Sequence, residues 1–254
     1  MEPESLEALV GRVPDGAMLV VPPDYAGVAM AATRALAARG VRGVHLLACP
    51  TSGLQAETLI AAGCVATVEA AAITLGEFGA APVFGAAMRE GRIRMLDSTC
   101  PAIHAALTAA EKGLPFIPLR GLIGSDVARR RTDWKTIQNP FSAEEDPIIL
   151  LPALRPDVAL FHVAAIDEEG NALIGRRREL VTMAHAARMT LVTAERIERG
   201  SFYDREEVAA GVLPSLYVTA AALAPRGAWP LGFGDAYAPA VEEMRRHAAG
   251  LVPA

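Results

Sequence analysis

Short apolar runs alternate with longer segments of helical periodicity along most of this chain. Short apolar runs bounded by turn residues are typical of buried strands, and apolar residues three or four positions apart are typical of helices. The pattern predicts strands at residues 17–21, 44–48, 65–68, 93–96, 148–151, 158–163, 191–194 and 216–223. It predicts helices at residues 27–39, 52–62, 99–112, 177–187 and 238–249. Strands that alternate with helices form βαβ units, so we expect a mostly parallel sheet.

Several predicted helices carry recognisable end signals. Ser52 is expected to cap the start of the second helix, and Gly40, Gly63 and Gly113 each follow the end of a helix. The sequence has no tandem repeat and no low-complexity linker. We therefore predict an α/β fold of the three-layer α/β/α sandwich type with a mostly parallel sheet, in a single domain covering residues 1–254.

Residues 115–147 break this rhythm, because they contain four prolines and two glycines. A long irregular stretch inside a compact domain often has a binding function. We expect this segment to be an irregular loop excursion from the sandwich.

Composition narrows the classes of function. The net charge is −5 and the sequence pI is about 5.6, so there is no basic excess for nucleic acid. The mean hydropathy is +0.28, but no uninterrupted apolar run is long enough to span a membrane, and Ala-rich helices account for the value. Neither nucleic acid nor a membrane is predicted as a partner.

The cysteines and the N-terminus predict a cytoplasmic protein. Cys49, Cys64 and Cys100 stand singly, without a C-x-x-C pair, which favours reduced thiols. The first four residues are acidic and lack the apolar stretch of a secretory signal.

Most standard catalytic motifs are absent. The sequence has no P-loop, no G-x-G-x-x-G after its first strand and no G-x-S-x-G elbow. Its histidines are scattered, so we predict no metal site. His162, at the end of an apolar strand, is expected to be a partly buried histidine bonded to backbone rather than a catalytic residue.

The segment Gly76-Glu77-Phe78-Gly79 follows the third predicted strand. Ligands of open parallel sheets bind beyond the carboxyl ends of the strands, and glycines allow close approach to the backbone. Glu77 is therefore a candidate nucleophile or general base. On spacing alone, an ordinary loop carboxylate is the more frequent interpretation.

A second candidate segment runs from Leu119 to Asp126 and contains Arg120, Gly121, Gly124 and Ser125. Its backbone N–H groups and hydroxyl are suited to cradle an anion or a developing oxyanion. The ordinary alternative is a glycine-containing connector in which Ser125 and Asp126 cap a helix.

Two arginine triplets, at residues 129–131 and 176–178, have two possible interpretations. A solvated surface is the favoured interpretation. A site for the phosphates of an anionic ligand is the alternative, since arginine matches phosphate geometry.

Taken together, these segments resemble the α subunits of family I coenzyme A transferases of the glutaconate and 3-oxoacid types. The most specific match is residues 152–162, followed by Asp167 and Gly170-Asn171. Further matching blocks, in the same order as in the family, are residues 59–65, 76–78, 116–121, 124–126, 133–135, 139–141 and 227–230.

The resemblance implies a fold, a mechanism and a partner. The fold is the α/β/α sandwich that these transferases share with sugar-phosphate isomerases. In the mechanism a glutamate attacks an acyl-CoA thioester, and a glutamyl-CoA intermediate then passes coenzyme A to an acceptor carboxylate. In two-chain members that glutamate lies on the β subunit, so this chain would supply pocket walls and oxyanion contacts. No permanently bound cofactor is implied, since the CoA thioester is itself a substrate.

The resemblance also implies a specific counterpart for Glu77. Its position resembles that of an α-chain glutamate in the hydrolase that opens the last steroid ring of cholesterol as a CoA thioester. Gly76, Phe78, Gly79, Arg120, Gly121, Gly124 and Ser125 are the implied substrate or CoA contacts.

The sequence departs from the family pattern after its first strand. Family α subunits carry a Gly-Gly loop there that shapes the oxyanion hole, whereas this chain has Pro22 and Pro23. Proline has no N–H to donate, so oxyanion donors at this position are lost.

We therefore expect the α subunit of a CoA transferase that works with a β-type chain on a small acyl-CoA and a carboxylate. The alternatives are an acyl-CoA ring-opening hydrolase that uses Glu77, and a non-catalytic ligand-binding chain of the same fold. A sugar-phosphate isomerase is disfavoured, because no convincing phosphate-binding motif is present.

Overall fold

A computed structural model gives the structure of residues 2–251. Its strands are β1 (Met18–Val21), β2 (Val44–Ala48), β3 (Thr51–Ser52), β4 (Val65–Ala70), β5 (Ala72–Ile73), β6 (Arg94–Asp97), β7 (Phe116–Leu119), β8 (Lys135–Gln138), β9 (Pro147–Pro152), β10 (Val158–Asp167), β11 (Ala172–Leu173), β12 (Met189–Glu198), β13 (Val212–Leu213) and β14 (Ala220–Leu223). Its helices are α1 (Leu6–Gly11), α2 (Met30–Arg39), α3 (Leu54–Ala61), α4 (Pro82–Arg89), α5 (Cys100–Glu111), α6 (Asp126–Arg130), α7 (Arg178–Ala186), α8 (Glu206–Ala209) and α9 (Val241–Ala248). Short 3₁₀ turns lie at Gly76–Phe78, Phe202–Asp204 and Ser215–Tyr217.

The central sheet is built from parallel strands in the order β14-β12-β10-β1-β2-β4-β6. This confirms the predicted parallel sheet. Strand β10 is longer than β1, which pairs only with its first residues, Val158 and Ala159. Further along the same side of β10, the antiparallel strand β11 pairs with Ala165 and Ile166. A gap in the pairing is therefore left beyond the end of β1.

Helices cover both faces of the sheet, as the sandwich prediction required. Along β1, Leu19 and Val21 belong to a buried cluster with residues of α1, α2, α3 and α4. Val20 points to the other face and belongs to a cluster with residues of α5 and α7. This alternation follows from the period of two in a β-strand, and all three side chains are fully buried.

The segment expected to be irregular contains regular structure. Strands β7 and β8 lie within residues 115–147 and pair with β9 in a small antiparallel sheet of order β7-β9-β8. The prolines misled the prediction, because Pro118 lies in β7, an edge strand, where a missing N–H is tolerated. Ile149 and Leu151 of β9 pack against α5 through Ala102.

A buried ion pair also connects the small sheet to the central one. The Nη2 atom of Arg131, just after α6, lies 2.9 Å from the Oε1 atom of Glu69 in β4. Both side chains are at least 95% buried, and Arg131 makes a second ion pair with Asp133. No helix in the described part of the chain is long and apolar enough to cross a membrane.

The helix boundaries differ from the sequence prediction at α3. Its N-cap is Gly53, not Ser52, and no side chain of the N-cap residue bonds the first turn. The Ser52 hydroxyl is buried without a hydrogen-bond partner among the described residues. Asp24, far away in sequence, supplies the capping oxygen instead.

Candidate active site at the carboxyl edge of the sheet

A cleft of about 1070 Å³ opens beyond the carboxyl end of β1, alongside the C-terminal halves of β10 and β12. This is where open parallel sheets bind ligands. The residues that line it are Tyr25, Ala164, Gly175, Arg176, Arg177, Glu179, Glu195, Arg196, Phe233, Gly234, Asp235 and Ala236. They come from the loop after β1, from β10 and β12, from the start of α7 and from the segment before α9.

Glu195 is the centre of a hydrogen-bond network at this cleft. Its Oε1 atom accepts from His162 Nε2 at 2.8 Å and from the Tyr237 hydroxyl at 2.7 Å. Its Oε2 atom accepts from the backbone N–H of Arg226 at 2.7 Å. Burial raises the pKa of Glu195, but these donors outweigh it and hold the pKa below its usual value. Glu195 is therefore an ionised carboxylate with three donors.

His162 is fully buried and neutral. Burial lowers its pKa more than the bond to Glu195 raises it. Because Nε2 donates to Glu195, Nδ1 is left to accept from the Thr193 hydroxyl at 2.8 Å. The expected histidine bonded to backbone is therefore wrong in detail, since its ring is held by two side chains of β12. The imidazole thereby holds the Glu195 carboxylate in place.

Two glycines make room for His162. Gly27, with φ of 84°, accepts from the His162 N–H at 2.6 Å. A Cβ atom on Gly227 would lie 2.6 Å from the His162 ring, closer than real Cβ contacts. The ring of Phe233 packs edge-on against the same imidazole with centroids 4.7 Å apart. The cleft wall is thus fixed by close packing.

The loop after β1, which stands where the family pattern has Gly-Gly, contacts both the cleft and the start of α3. Tyr25 is 77% exposed and lines the cleft. Its neighbour Asp24 points away and accepts from the N–H groups of Gly53 and Leu54, at 3.2 and 3.1 Å. Burial raises the pKa of Asp24 to about 6, against the lowering effect of these two bonds.

Glu77 lies on the 3₁₀ turn Gly76–Phe78, beyond the end of β4. The side chain is exposed, and the flanking Gly76 and Gly79 both have positive φ, 61° and 106°. Phe78 is partly buried and packs against a cluster that contains Leu54 and Leu75. The turn is therefore anchored by Phe78 and presents Glu77 to solvent at the same edge of the sheet, outside the cleft lining.

The other predicted segment belongs to the small sheet. Arg120 forms an ion pair with Asp146. Ser125 caps α6 by accepting from the Ala128 N–H at 3.2 Å. This agrees with the alternative prediction of a glycine-containing connector in which Ser125 caps a helix. Gly121 and Gly124, with φ of 88° and 77°, form the turns between β7 and α6. The structure thus places these four residues in a segment that does not line the cleft.

No group of histidine, cysteine, aspartate or glutamate within residues 2–251 is arranged to hold a metal ion. Cys49 and Cys64 are buried, Cys100 is exposed, and all three are free thiols. Burial raises the pKa of Cys49 to about 12, so its thiol is unreactive near neutral pH.

Sequence reasoning missed Glu195, Tyr237 and Phe233. One signal was present, because Glu195 directly follows the predicted strand 191–194 and so belongs at the carboxyl edge. The pairing of Thr193 with His162 depends on β12 lying beside β10, and strand order is not encoded in local periodicity.

Comparison with known proteins gives a consistent picture. Residues 4–219 match the family model described as coenzyme A transferase. One subunit of the glutaconate CoA-transferase of Acidaminococcus fermentans is 31% identical over 156 residues, 55% of this chain and 48% of that protein. The cholesterol ring-cleaving hydrolase IpdA subunit of Rhodococcus jostii is 36% identical over 95 residues, 36% of this chain and 32% of that protein. The matches therefore span less than half the length of these curated relatives.

Solved structures match over a larger share of the chain. The crystal structure of a variant of the decarboxylase AibA/AibB has a TM-score of 0.84 at 30% identity, covering 98% of this chain and 92% of that one. The crystal structure of glutaconate coenzyme A-transferase from Acidaminococcus fermentans has a TM-score of 0.86 at 22% identity, covering 98% and 84%. The second likeness confirms the fold.

Proposed function

Because this chain belongs to the coenzyme A transferase family, we propose that it is the α subunit of a two-chain enzyme that moves coenzyme A between an acyl-CoA and a carboxylic acid. The nucleophilic glutamate would lie on a β-type partner chain. This chain would form part of the pocket and hold the substrate. The relatives named as single subunits of CoA transferases support this division of labour.

The observation that carries the proposal is the bonding of Glu195. A nucleophilic carboxylate must offer a lone pair to the thioester carbon, whereas both oxygens of Glu195 already accept strong hydrogen bonds. Glu195 is therefore suited to orient Tyr237 and the cleft wall, and its three donors favour an attacking carboxylate that comes from elsewhere. A partner chain facing the carboxyl edge of the sheet would supply it.

Glu77 supports a second candidate, hydrolysis or another reaction of an acyl-CoA in which this chain supplies the base. Its carboxylate is exposed on a turn at the carboxyl edge, and no hydrogen bond or ion pair from residues 2–251 engages it. Free access of this kind suits a residue that activates water or removes a proton. Relatives named as a hydrolase and a decarboxylase make both reactions worth testing.

The test uses the chain co-purified with the β-type protein that binds it. The complex is incubated with acyl-CoA thioesters, treated with borohydride, and analysed by intact mass. A reduced glutamyl adduct on the partner supports transfer. Release of free CoA or of CO₂ without an adduct moves the assignment to hydrolysis or decarboxylation. No turnover and no acyl-CoA binding would leave only a non-catalytic chain.

Glu77→Gln in the same complex separates the two candidates. If this chain supplies the base, the substitution lowers kcat about 100-fold or more, a typical contribution of general acid–base catalysis. If the partner's glutamate does the chemistry, the adduct still forms. Glu145→Gln is the matched control, because Glu145 is an exposed glutamate on the loop between β8 and β9.

A further inference from the structure

Arg177 is a half-buried cation without a carboxylate partner among the described residues. It precedes α7 and lines the cleft. Its guanidinium carbon lies 4.7 Å from the centre of the Phe233 ring. The one hydrogen bond that its guanidinium donates within residues 2–251 goes to the Ile174 carbonyl at 3.5 Å, the limit of such a bond. Burial lowers the pKa of Arg177, which agrees with a guanidinium that lacks a strong partner.

Other arginines in the described chain have better hydrogen-bond partners, whether they are buried like Arg131 or exposed like Arg39 and Arg196. Arg131 pairs with Glu69 and Asp133, and Arg39 donates to the Val10 and Val13 carbonyls. Within the cleft, Arg196 pairs with Glu198. Removing a charged donor from water is costly unless hydrogen bonds replace the lost hydration. The unused donors of Arg177 therefore point to an acceptor that arrives from outside the chain.

The cleft around Arg177 suits an anion at the end of a partly apolar chain. Phe233 and Ala164 supply apolar surface, and Arg176 adds a second cation. Glu179, Glu195 and Asp235 also line the cleft, so its total charge is near balance. A ligand is therefore selected by the local position of Arg177 and not by a broad positive field. The positive end of the α7 dipole adds to the attraction.

We propose that Arg177 binds an anionic oxygen group of the acyl-CoA, either a carboxylate at the far end of the acyl chain or a phosphate of coenzyme A. This inference rests on the proposed function only in taking the anion to be part of an acyl-CoA. The planar fork of a guanidinium binds both groups through two parallel hydrogen bonds. The arginine run at residues 176–178 thereby has a function beyond surface charge.

The experiment measures binding of small anions to the full chain as purified, with any co-purifying chain retained, so it requires no turnover. Calorimetric titrations use glutarate, butyrate and pyrophosphate as probes. Arg177→Gln is expected to weaken binding of the anion about 10-fold or more, the effect of losing a charge-assisted pair. Arg177→Lys keeps the charge but loses the planar fork, so its affinity for the anion should lie between those of the unaltered chain and Arg177→Gln. Arg42→Gln, an exposed arginine at the opposite edge of the sheet, should bind as the unaltered chain does.

The pattern of binding identifies the source of the anion. Binding of glutarate or butyrate assigns the site to an acyl carboxylate, and pyrophosphate binding alone assigns it to coenzyme A. Absence of binding by all three anions at millimolar concentration overturns the proposal. Equal affinity in the unaltered chain and in a folded Arg177→Gln variant, checked by thermal melting, overturns it as well. Neither failure affects the borohydride test, so the two proposals fail independently.

Discussion

The Oδ2 atom of Asp24 accepts a hydrogen bond from the backbone N–H of Leu54, 3.1 Å away, at the start of α3. A carboxylate is favourable at a helix N-terminus, but this one is mostly buried. The effect of burial on the Asp24 carboxyl is larger than that of the two backbone hydrogen bonds, and the pKa rises from 3.8 to about 6. The residue therefore makes the stability of the fold depend on pH.

Asp24→Asn is expected to flatten this pH dependence. A carboxyl group with a raised pKa binds more protons in the folded state, so its contribution to stability is greatest in acid and falls as the pH rises from about 4 to about 6. A pKa difference of about two between the folded and unfolded states corresponds to about 3 kcal/mol. Urea unfolding at about pH 4.5 and about pH 7 should show the unaltered chain losing stability relative to the variant at the higher pH.

Asp15→Asn is the control for this prediction. Asp15 also accepts a backbone N–H, from Arg42 at 2.9 Å, but it is exposed. This variant should follow the unaltered chain across the range. If Asp24→Asn did the same, burial of the carboxyl would have no energetic effect.

Tyr237→Phe should destabilise the cleft wall. The hydroxyl donates to Glu195 and accepts from the Ala228 N–H at 3.1 Å, so its loss leaves two groups without partners. Loss of a hydrogen bond to a charged group costs roughly 1.5–3 kcal/mol. Denaturant unfolding measures the change. Tyr203→Phe removes a hydroxyl from a tyrosine that is 49% exposed and should change stability by less than about 0.5 kcal/mol.

Gly227→Ala tests the packing around His162. The added Cβ would lie 2.6 Å from the imidazole and 2.7 Å from the Ala224 carbonyl, so the ring and the Phe233 contact must shift. Overpacking of this kind costs roughly 1–3 kcal/mol. Gly11→Ala, at the end of α1, has nothing within 4 Å of the new atom and should be neutral or stabilising. Equal thermal stability of the two variants would contradict the tight packing of His162.

Arg131→Gln should loosen the small sheet. The substitution leaves Glu69, at 2% exposure, with only the His45 imidazole 3.2 Å away, and breaking a buried pair costs at most roughly 3–5 kcal/mol. Hydrogen exchange should accelerate in residues 116–152 more than in the central strands. Arg130→Gln removes a neighbouring arginine that is 74% exposed and should leave exchange unchanged. Uniform acceleration throughout the chain would show that Arg131 supports the whole fold and not this attachment.

Most of the central sheet could be predicted because most of its parallel strands contain an apolar run. Residues 44–48 were predicted within their observed bounds, since Val44 to Ala48 are buried on both faces except at His45. In the small sheet only β9 was predicted in this way. Its strand β8 is exposed throughout, so hydrophobic periodicity gave no signal there.

None of the site residues predicted from the sequence lines the cleft. Ligand sites at the carboxyl edge follow from parallel topology, and Glu77 lies there. The network of Glu195 depends on contacts between β10, β12 and a segment about 40 residues further along the chain. Long-range contacts of this kind are set by strand order and by loop paths. The capping of α3 by Asp24 in place of Ser52 has the same origin.

The gap in pairing beside β10 has a consequence for how this fold diversifies. Residues 22–27 pass over the gap, where the Gly27 carbonyl binds the His162 N–H and so takes the place of a ladder bond. Tyr25 can therefore be exchanged without breaking a rung of the sheet, whereas Asp24 has to stay to cap α3 and a glycine has to hold position 27. Since Tyr25 is exposed and lines the cleft, substitutions at this one position can alter ligand selectivity while the scaffold stays constant. Tyr25 is therefore a natural position for directed evolution.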